Sequence, residues 1–276
     1  MNYDDIITLT SYDTETFKKS DLFLNNNYMS IQALHDENNI TEKDHLGTLK
    51  LKLFNKSYSL QKLIPIPNIL GINVSINNLP LNLSSCKIIS YRETLHMKNN
   101  IVVRETILED GMGRQNRLCI RKLLSTSLKE IYSTSYSITP LNYSGIVTFT
   151  PFIDFSNMSI PLEKIHGSIC SKCGVLSFLN QEENYIISSA IRCELHEGYF
   201  KQTSYENMCC TDNLVSYTLK GHAIKNVPLT LFKYVSITNG FLNKKDQIIN
   251  RSKALVKNAC VKNFDGLFSE NMRDSL

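Results

Sequence analysis

Across residues 67–125, aliphatic and β-branched residues alternate with polar ones, the period of strands that bury one face. Ile72, Val74 and Ile76 fall on one side of such a strand, with Asn73 and Ser75 on the other. Asn77-Asn78 breaks the run, because asparagine tolerates a left-handed turn and bonds its own backbone. Residues 101–108 and 118–124 flank Glu109-Asp110-Gly111-Met112-Gly113, and Asp-Gly is a strong reversal signal, so a hairpin is predicted here. Alternation recurs at 47–54, where Leu49, Leu51 and Leu53 oppose Lys50 and Lys52, and again at 130–139, 145–151, 185–200, 214–224 and 228–237. Residues 21–33 read as two short strands around an Asn-rich turn, and 154–183 as a long irregular connection. No helix-period segments lie between the strands. The predicted fold class is therefore mainly β, a large antiparallel β-sandwich.

The period changes only near the end. Within 244–263, Ile248, Ser252, Leu255 and Ala259 share one helical face, with Ile249, Val256 and Cys260 beside them. Asn243 is the expected N-cap and Gly266 the expected stop. The chain thus divides into a sandwich over 1–242 and a helical connector over 243–276. Because this connector has apolar residues on more than one face, with Leu267 and Phe268 beyond, an uncovered apolar surface is expected on it.

Composition supports a folded chain: 276 residues, 42% hydrophobic and 20% charged, exclude disorder and suffice for a real core. The net charge of +4 is spread without a basic run, which argues against nucleic acid and against an anionic membrane. The opening MNYDDIITLT has neither a basic nor a continuous apolar region, and no apolar stretch reaches membrane-spanning length, so a cytoplasmic location is expected.

Candidate chemistry is sparse. The eight cysteines are scattered, and free thiols are expected rather than a disulfide framework. Cys170-Ser171-Lys172-Cys173 resembles half of a zinc knuckle, with His166, Cys209 and Cys210 as possible further ligands; the alternative is a zinc-stabilised interaction domain. Adjacent Cys209-Cys210 do not supply a second CxxC. The six histidines are too dispersed for a triad, and no phosphate-binding glycine loop, HExxH or GxSxG occurs. Arg117 and Arg121 share a strand face that could hold an anion, although a solvated face laced with ion pairs to Glu93, Glu105 and Glu109 is the simpler reading. No catalytic site emerges from the residues alone.

Several segments in order carry a resemblance: PNILGINVSIN (67–77), LNL (81–83), YRETLHM (91–97), Arg104, DGMGR (110–114), RKLLS (121–125) and ITPLNYSGIVTFTPFID (138–154). Together they resemble the amino-terminal domain of glycoside hydrolase family 65, which includes maltose, trehalose and kojibiose phosphorylases. The resemblance implies a galactose-mutarotase-like super-sandwich followed by a linker helix, which leads to a helical barrel holding the catalytic acid. It implies inverting phosphorolysis of an α-linked glucosyl disaccharide, with inorganic phosphate as co-substrate and nucleophile and one carboxylic acid protonating the leaving oxygen. That machinery lies in the barrel, beyond where this sequence stops. No catalytic residue and no cofactor is therefore assigned to this chain.

The family's glycine-rich GNGYxG turn, which faces the catalytic domain, corresponds here to Asn25-Asn26-Asn27-Tyr28-Met29-Ser30. Asn26 and Tyr28 match and are the residues expected next to a ligand or interface. His96 stands where the family often has Asp, and Asn271 and Ser275 where the connector usually has His and Trp. The implied role is a non-catalytic domain that packs on the barrel, shapes the pocket rim or a dimer interface, and meets a disaccharide only through the full enzyme. A stand-alone carbohydrate-binding module is the alternative, with 13 Tyr and 12 Phe to supply stacking rings but no Trp.

Overall fold

Alternation becomes ladders in the computed structural model, which describes residues 6–11, 23–32, 66–156, 158, 160–198, 200–202 and 206–274. The chain runs through β1 (Ile6–Leu9), β2 (Phe23–Asn25), β3 (Ser30–Gln32), β4 (Ile72–Ile76), β5 (Leu79–Pro80), β6 (Lys87–His96), β7 (Ile101–Glu109), β8 (Gln115–Leu124) and β9 (Ile131–Pro140). It continues through β10 (Gly145–Asp154), β11 (Glu163–Cys170), β12 (Cys173–Asn180), β13 (Tyr185–Glu197), β14 (Phe200–Gln202), β15 (Asn207–Cys210), β16 (Leu214–Ala223) and β17 (Leu229–Phe241). A long helix, α1 (Lys245–Asp274), follows. The strand predicted at 47–54 lies outside the described residues.

A large sheet has the order β1-β6-β7-β8-β9-β17-β13-β12-β11, with β14 pairing β13. A smaller sheet has the order β15-β16-β10-β4-β5, and β2-β3 form a separate hairpin. The pairings within them are antiparallel. Leu118, Ile120, Tyr132, Tyr136, Ile138, Leu231 and Val235 of the large sheet meet Val74, Val147, Phe149 and Leu219 of the small one in the main core. Tyr136 and Phe149 meet edge to face with ring centres 5.7 Å apart. A Cβ at Gly174 would come within 2.4 Å of Val215 Cγ1, so glycine is what allows β12 to lie this close to β16.

One charged group also stitches the layers. Lys233, fully buried on the core side of β17, donates from Nζ to the carbonyls of Gly71 (2.8 Å) and Phe152 (2.9 Å). Two backbone carbonyls of the small-sheet layer thereby accept from the large sheet.

The opposite face of the large sheet is covered by α1. Ile131, Leu123, Val175, Ala190 and Tyr234 form a second core with Ile249, Val256, Ala259, Phe264 and Leu267. The uncovered apolar helix expected from the sequence is thus corrected: Leu267 is fully buried, while Val261 and Met272 remain exposed. The reason lies at Asn263, whose φ of 55° and ψ of 175° break the helix. Its Oδ1 accepts from Gly266 N at 2.9 Å, restarting the helix as an N-cap would. The bend lets the two halves present different apolar faces to one sheet. Gly266 therefore sits inside the second half rather than ending the first, and Asn243 lies in a 3-10 turn, Leu242–Lys244, that leads into the helix.

The segment expected as a long connection is also corrected, since 154–183 contains the β11-β12 hairpin. Most of β12 is buried, with no alternation of buried and exposed residues to betray a strand. At 110–114 the predicted turn forms as expected: Asp110 Oδ1 accepts from the backbone N–H of Met112 (2.9 Å) and Arg114 (3.0 Å). Arg114 Nε returns to Asp110 Oδ2 at 2.7 Å.

Candidate functional site

Three asparagines organise one end of the sandwich. The β6-β7 turn ends on Asn100, whose positive φ of 55° turns its side chain toward the β2-β3 hairpin. Asn25 N donates to Asn100 Oδ1 at 2.8 Å, and Asn100 Nδ2 donates to Asn25 O at 2.7 Å. Asn26 closes its own turn by accepting from the N–H groups of Tyr28 and Met29, both at 2.8 Å. Its Nδ2 donates to the carbonyls of Ser125 (2.8 Å) and Lys129 (3.0 Å) in the β8-β9 connection.

The same connection is gripped from the other face by Asn271. This fully buried side chain accepts from Thr126 N (2.9 Å) and Oγ1 (3.0 Å). It donates to the carbonyls of Asn99 and Leu124, both at 2.9 Å. The end of the helix, two turns of the large sheet and the Asn-rich hairpin are thus fastened together.

Tyr28 projects from this hairpin into a cleft of about 600 Å³, between the start of α1 and the end of β17. Its hydroxyl donates to Asn239 Oδ1 at 3.2 Å. Burial, aided by the Glu130 carboxylate, pushes the phenol well above its usual range, so the proton stays on and the hydroxyl remains a donor. Arg251 Nε reaches Glu130 Oε1 at 3.1 Å and its Nη2 meets the same oxygen. Tyr185, Phe241, Lys244, Gln247 and Ile248 also line it. This is a cleft of mixed polarity with three aromatic rings, suited to holding something rich in hydroxyls or peptide groups.

Asn26 and Tyr28, the two residues expected to adjoin a ligand or interface, have different parts here. Asn26 spends its side chain on backbone groups, whereas Tyr28 lines the cleft. Sequence reasoning missed Asn100, Glu130, Tyr185, Asn239 and Arg251. Glu130 and Arg251 lie 121 residues apart, and no local pattern links them.

The other candidates disperse. Cys170 and Cys173 sit on the tip of the β11-β12 hairpin, and among the described residues no group of three or more His, Cys, Asp or Glu is placed to hold a metal. His166 bonds Ser168 Oγ at 3.0 Å, and burial, with Lys253 and Lys245 adding to it, lowers its pKa. Arg121 is a helix contact rather than part of a solvated face, with its guanidinium 4.7 Å from the Phe264 ring centre and Nη1 3.0 Å from Asp265 Oδ1. Arg114 likewise pairs with Asp110, and Glu109 accepts from Gln115 Nε2 at 2.8 Å.

Beneath the kink, Cys260 Sγ donates to Glu194 Oε1 at 2.9 Å, and Lys201 pairs with the same oxygen. Burial, and then the Glu194 carboxylate, push the Cys260 thiol up to about 12, so it stays protonated and is no nucleophile. These groups hold the helix; they do not form an acid-base pair for chemistry.

Comparison with known proteins bears on the family and the fold. The family described as "Glycosyl hydrolase family 65, N-terminal domain" matches residues 13–274. Kojibiose phosphorylase of Thermoanaerobacter brockii is 26% identical over 189 residues, covering 67% of this chain and 24% of that protein. The Halothermothrix orenii kojibiose phosphorylase is 27% identical over 145 residues, or 51% of this chain and 18% of its own. That of Caldanaerobacter subterraneus subsp. tengcongensis is 26% identical over 125 residues, or 45% and 16%. The chain therefore spans less than a quarter of the curated relatives it matches. Among solved structures, "Putative kojibiose phosphorylase from human microbiome" superposes on 100% of this chain and 38% of its own with a TM-score of 0.81, and at 15% identity this shows a shared fold. The match over residues 13–274, on a sandwich of shared fold, leads to one conclusion: the chain belongs to the glycosyl hydrolase family 65 N-terminal domain family.

Proposed function

We propose that this chain is the non-catalytic sandwich half of a disaccharide phosphorylase, with 1–242 as its body and 243–276 as the connector toward a catalytic helical domain. The observation that supports this most is the asparagine-fastened end, where Tyr28, Glu130 and Arg251 border one cleft and Asn271 anchors the end of α1 beside it. A partner following α1 is thereby held next to the cleft, and Tyr28 supplies a fixed hydroxyl at its rim. In this reading the reaction is phosphorolysis of kojibiose or a related α-linked glucosyl disaccharide, with inorganic phosphate as co-substrate and the catalytic acid and phosphate site in the partner. The sandwich contributes position: holding a rim within tenths of an ångström is how a remote domain affects a rate.

Association tests it. Titrating the chain into the separately produced helical domain of a kojibiose phosphorylase should give saturable heat, weakened by Tyr28→Ala or Arg251→Ala in the cleft. Equal binding by the variants, or no heat with wild type, counts against the reading.

A second reading is favoured by the cleft itself, since Tyr28 and Tyr185 could stack a sugar while Asn239, Gln247 and Arg251 meet its hydroxyls. In that case kojibiose, maltose or trehalose should bind the chain alone. Silence with all three removes this reading and leaves the first intact.

A further inference from the structure

The β11-β12 hairpin brings two cysteines together in a way that no function above uses. Cys170 and Cys173 are direct cross-strand partners, separated by a two-residue turn in which Ser171 (φ 49°) and Lys172 (φ 64°) both take the left-handed conformation. Such a type I′ turn matches the twist of a hairpin and fixes its register. The residues flanking a two-residue turn form a hydrogen-bonded pair whose Cα atoms lie about 5.5 Å apart, inside the range that a disulfide spans. Direct partners point their side chains to the same face of the sheet.

Both thiols are free, with Cys170 exposed and Cys173 half-buried. Cys173 packs at the border of the helix-sheet core, where burial raises its pKa against the opposing charges of Arg192 and Lys253, so the exposed Cys170 is the thiol that reacts first. Arg192 Nη1 also reaches the Ser171 carbonyl at 3.4 Å, holding the turn that sets the pair. The two residues lie at the opposite end of β12 from the turn leading to Tyr185 and the cleft.

We propose that Cys170 and Cys173 are a reversible dithiol-disulfide pair, closed by a hydroperoxide and reopened by a small thiol. The exposed Cys170 thiolate attacks the peroxide, breaking its O–O bond, and becomes a sulfenic acid with loss of water or alcohol. Cys173 sulfur then attacks the Cys170 sulfur, the S–O bond breaks, and the hydroxyl leaves as water after taking the Cys173 proton. Two electrons pass from the two thiols to the peroxide. Because the bridge would close only a very short loop and stay at an exposed tip, it belongs to the readily reduced class and not to the structural one.

The test is a peptide map of the full chain after hydrogen peroxide, with the reaction stopped by alkylation. Trypsin cuts after Lys164, Lys172 and Arg192, so a closed pair leaves peptides 165–172 and 173–192 joined, and dithiothreitol separates them. Titratable thiols in denaturant should fall from eight to six, and the intact mass by about 2 Da. Cys170→Ser and Cys173→Ser should each abolish the joined peptides. The proposal is overturned if all eight thiols persist, if Cys170 proceeds to sulfinic acid unlinked, if the bridge forms between other cysteines, or if the purified chain carries stoichiometric zinc that protects this pair. The wild-type map decides the matter even if a variant fails to fold.

Discussion

The two faces of the large sheet are closed by different means. Toward the small sheet, tyrosine, phenylalanine and aliphatic side chains interdigitate, and the contact is mostly apolar. Toward α1 the apolar contacts are fewer and hydrogen bonds run between them: Ser236 Oγ to Ser252 O at 2.8 Å, Thr238 Oγ1 to Ile248 O at 3.2 Å, and the four bonds of Asn271. Burial of apolar area is strong but tolerant of small shifts in position, whereas hydrogen bonds fix a distance and an angle. The interior supplies the stability of the sandwich, and the seam sets where the helix ends.

The sharpest way to break this contrast is in the interior. Phe149→Ala, which empties a fully buried site against Tyr136, should cost about 4 kcal/mol in denaturant unfolding and lower sheet and helix protection together. Next comes Asn271→Ala, which strands two carbonyls and an N–H; about 2–3 kcal/mol is expected. Hydrogen exchange should then speed up in 264–274 while β9 and β17 keep their protection. Ser236→Ala, which removes the buried contacts of one hydroxyl with Ser252 O and Ser252 Oγ, should cost about 1 kcal/mol.

The smallest effect is a pH dependence. Burial by itself would raise the Glu194 carboxyl, but hydrogen bonds from Cys260 and Lys201 and the Lys201 charge outweigh it, holding the group below its usual range. A carboxyl with a lowered folded pKa stabilises fully above its unfolded value of about 4.3 and loses that contribution as pH falls through the folded value. Glu194→Gln should therefore flatten the acid limb of a stability-pH curve below about pH 4 and scarcely change its slope near neutrality.

The same contrast governs what could be read from the sequence. Strands with one buried face, such as β4, β7 and β8, carry alternation and lie where it predicts them. The β11-β12 hairpin escaped because β12 is buried on both faces while β11, at the sheet edge, is largely half-exposed. The helix was visible, but its break was placed on Gly266. Asn263 does that job by taking positive φ and capping the next turn. Asn26 and Tyr28 were found through family resemblance, and the turn chemistry of Asn26 is local. Glu130, Arg251 and Asn239 meet Tyr28 only through tertiary packing, so no spacing along the chain announces the cleft.

The measurement that bears most directly on the account is glucose 1-phosphate release from kojibiose and inorganic phosphate by a family 65 helical domain, assayed with and without this chain. The account predicts no release by the chain alone, a saturable rise in the helical domain's rate when the chain is added, and a smaller rise with Tyr28→Ala. Release by the chain alone, or a helical-domain rate indifferent to its presence, would contradict it.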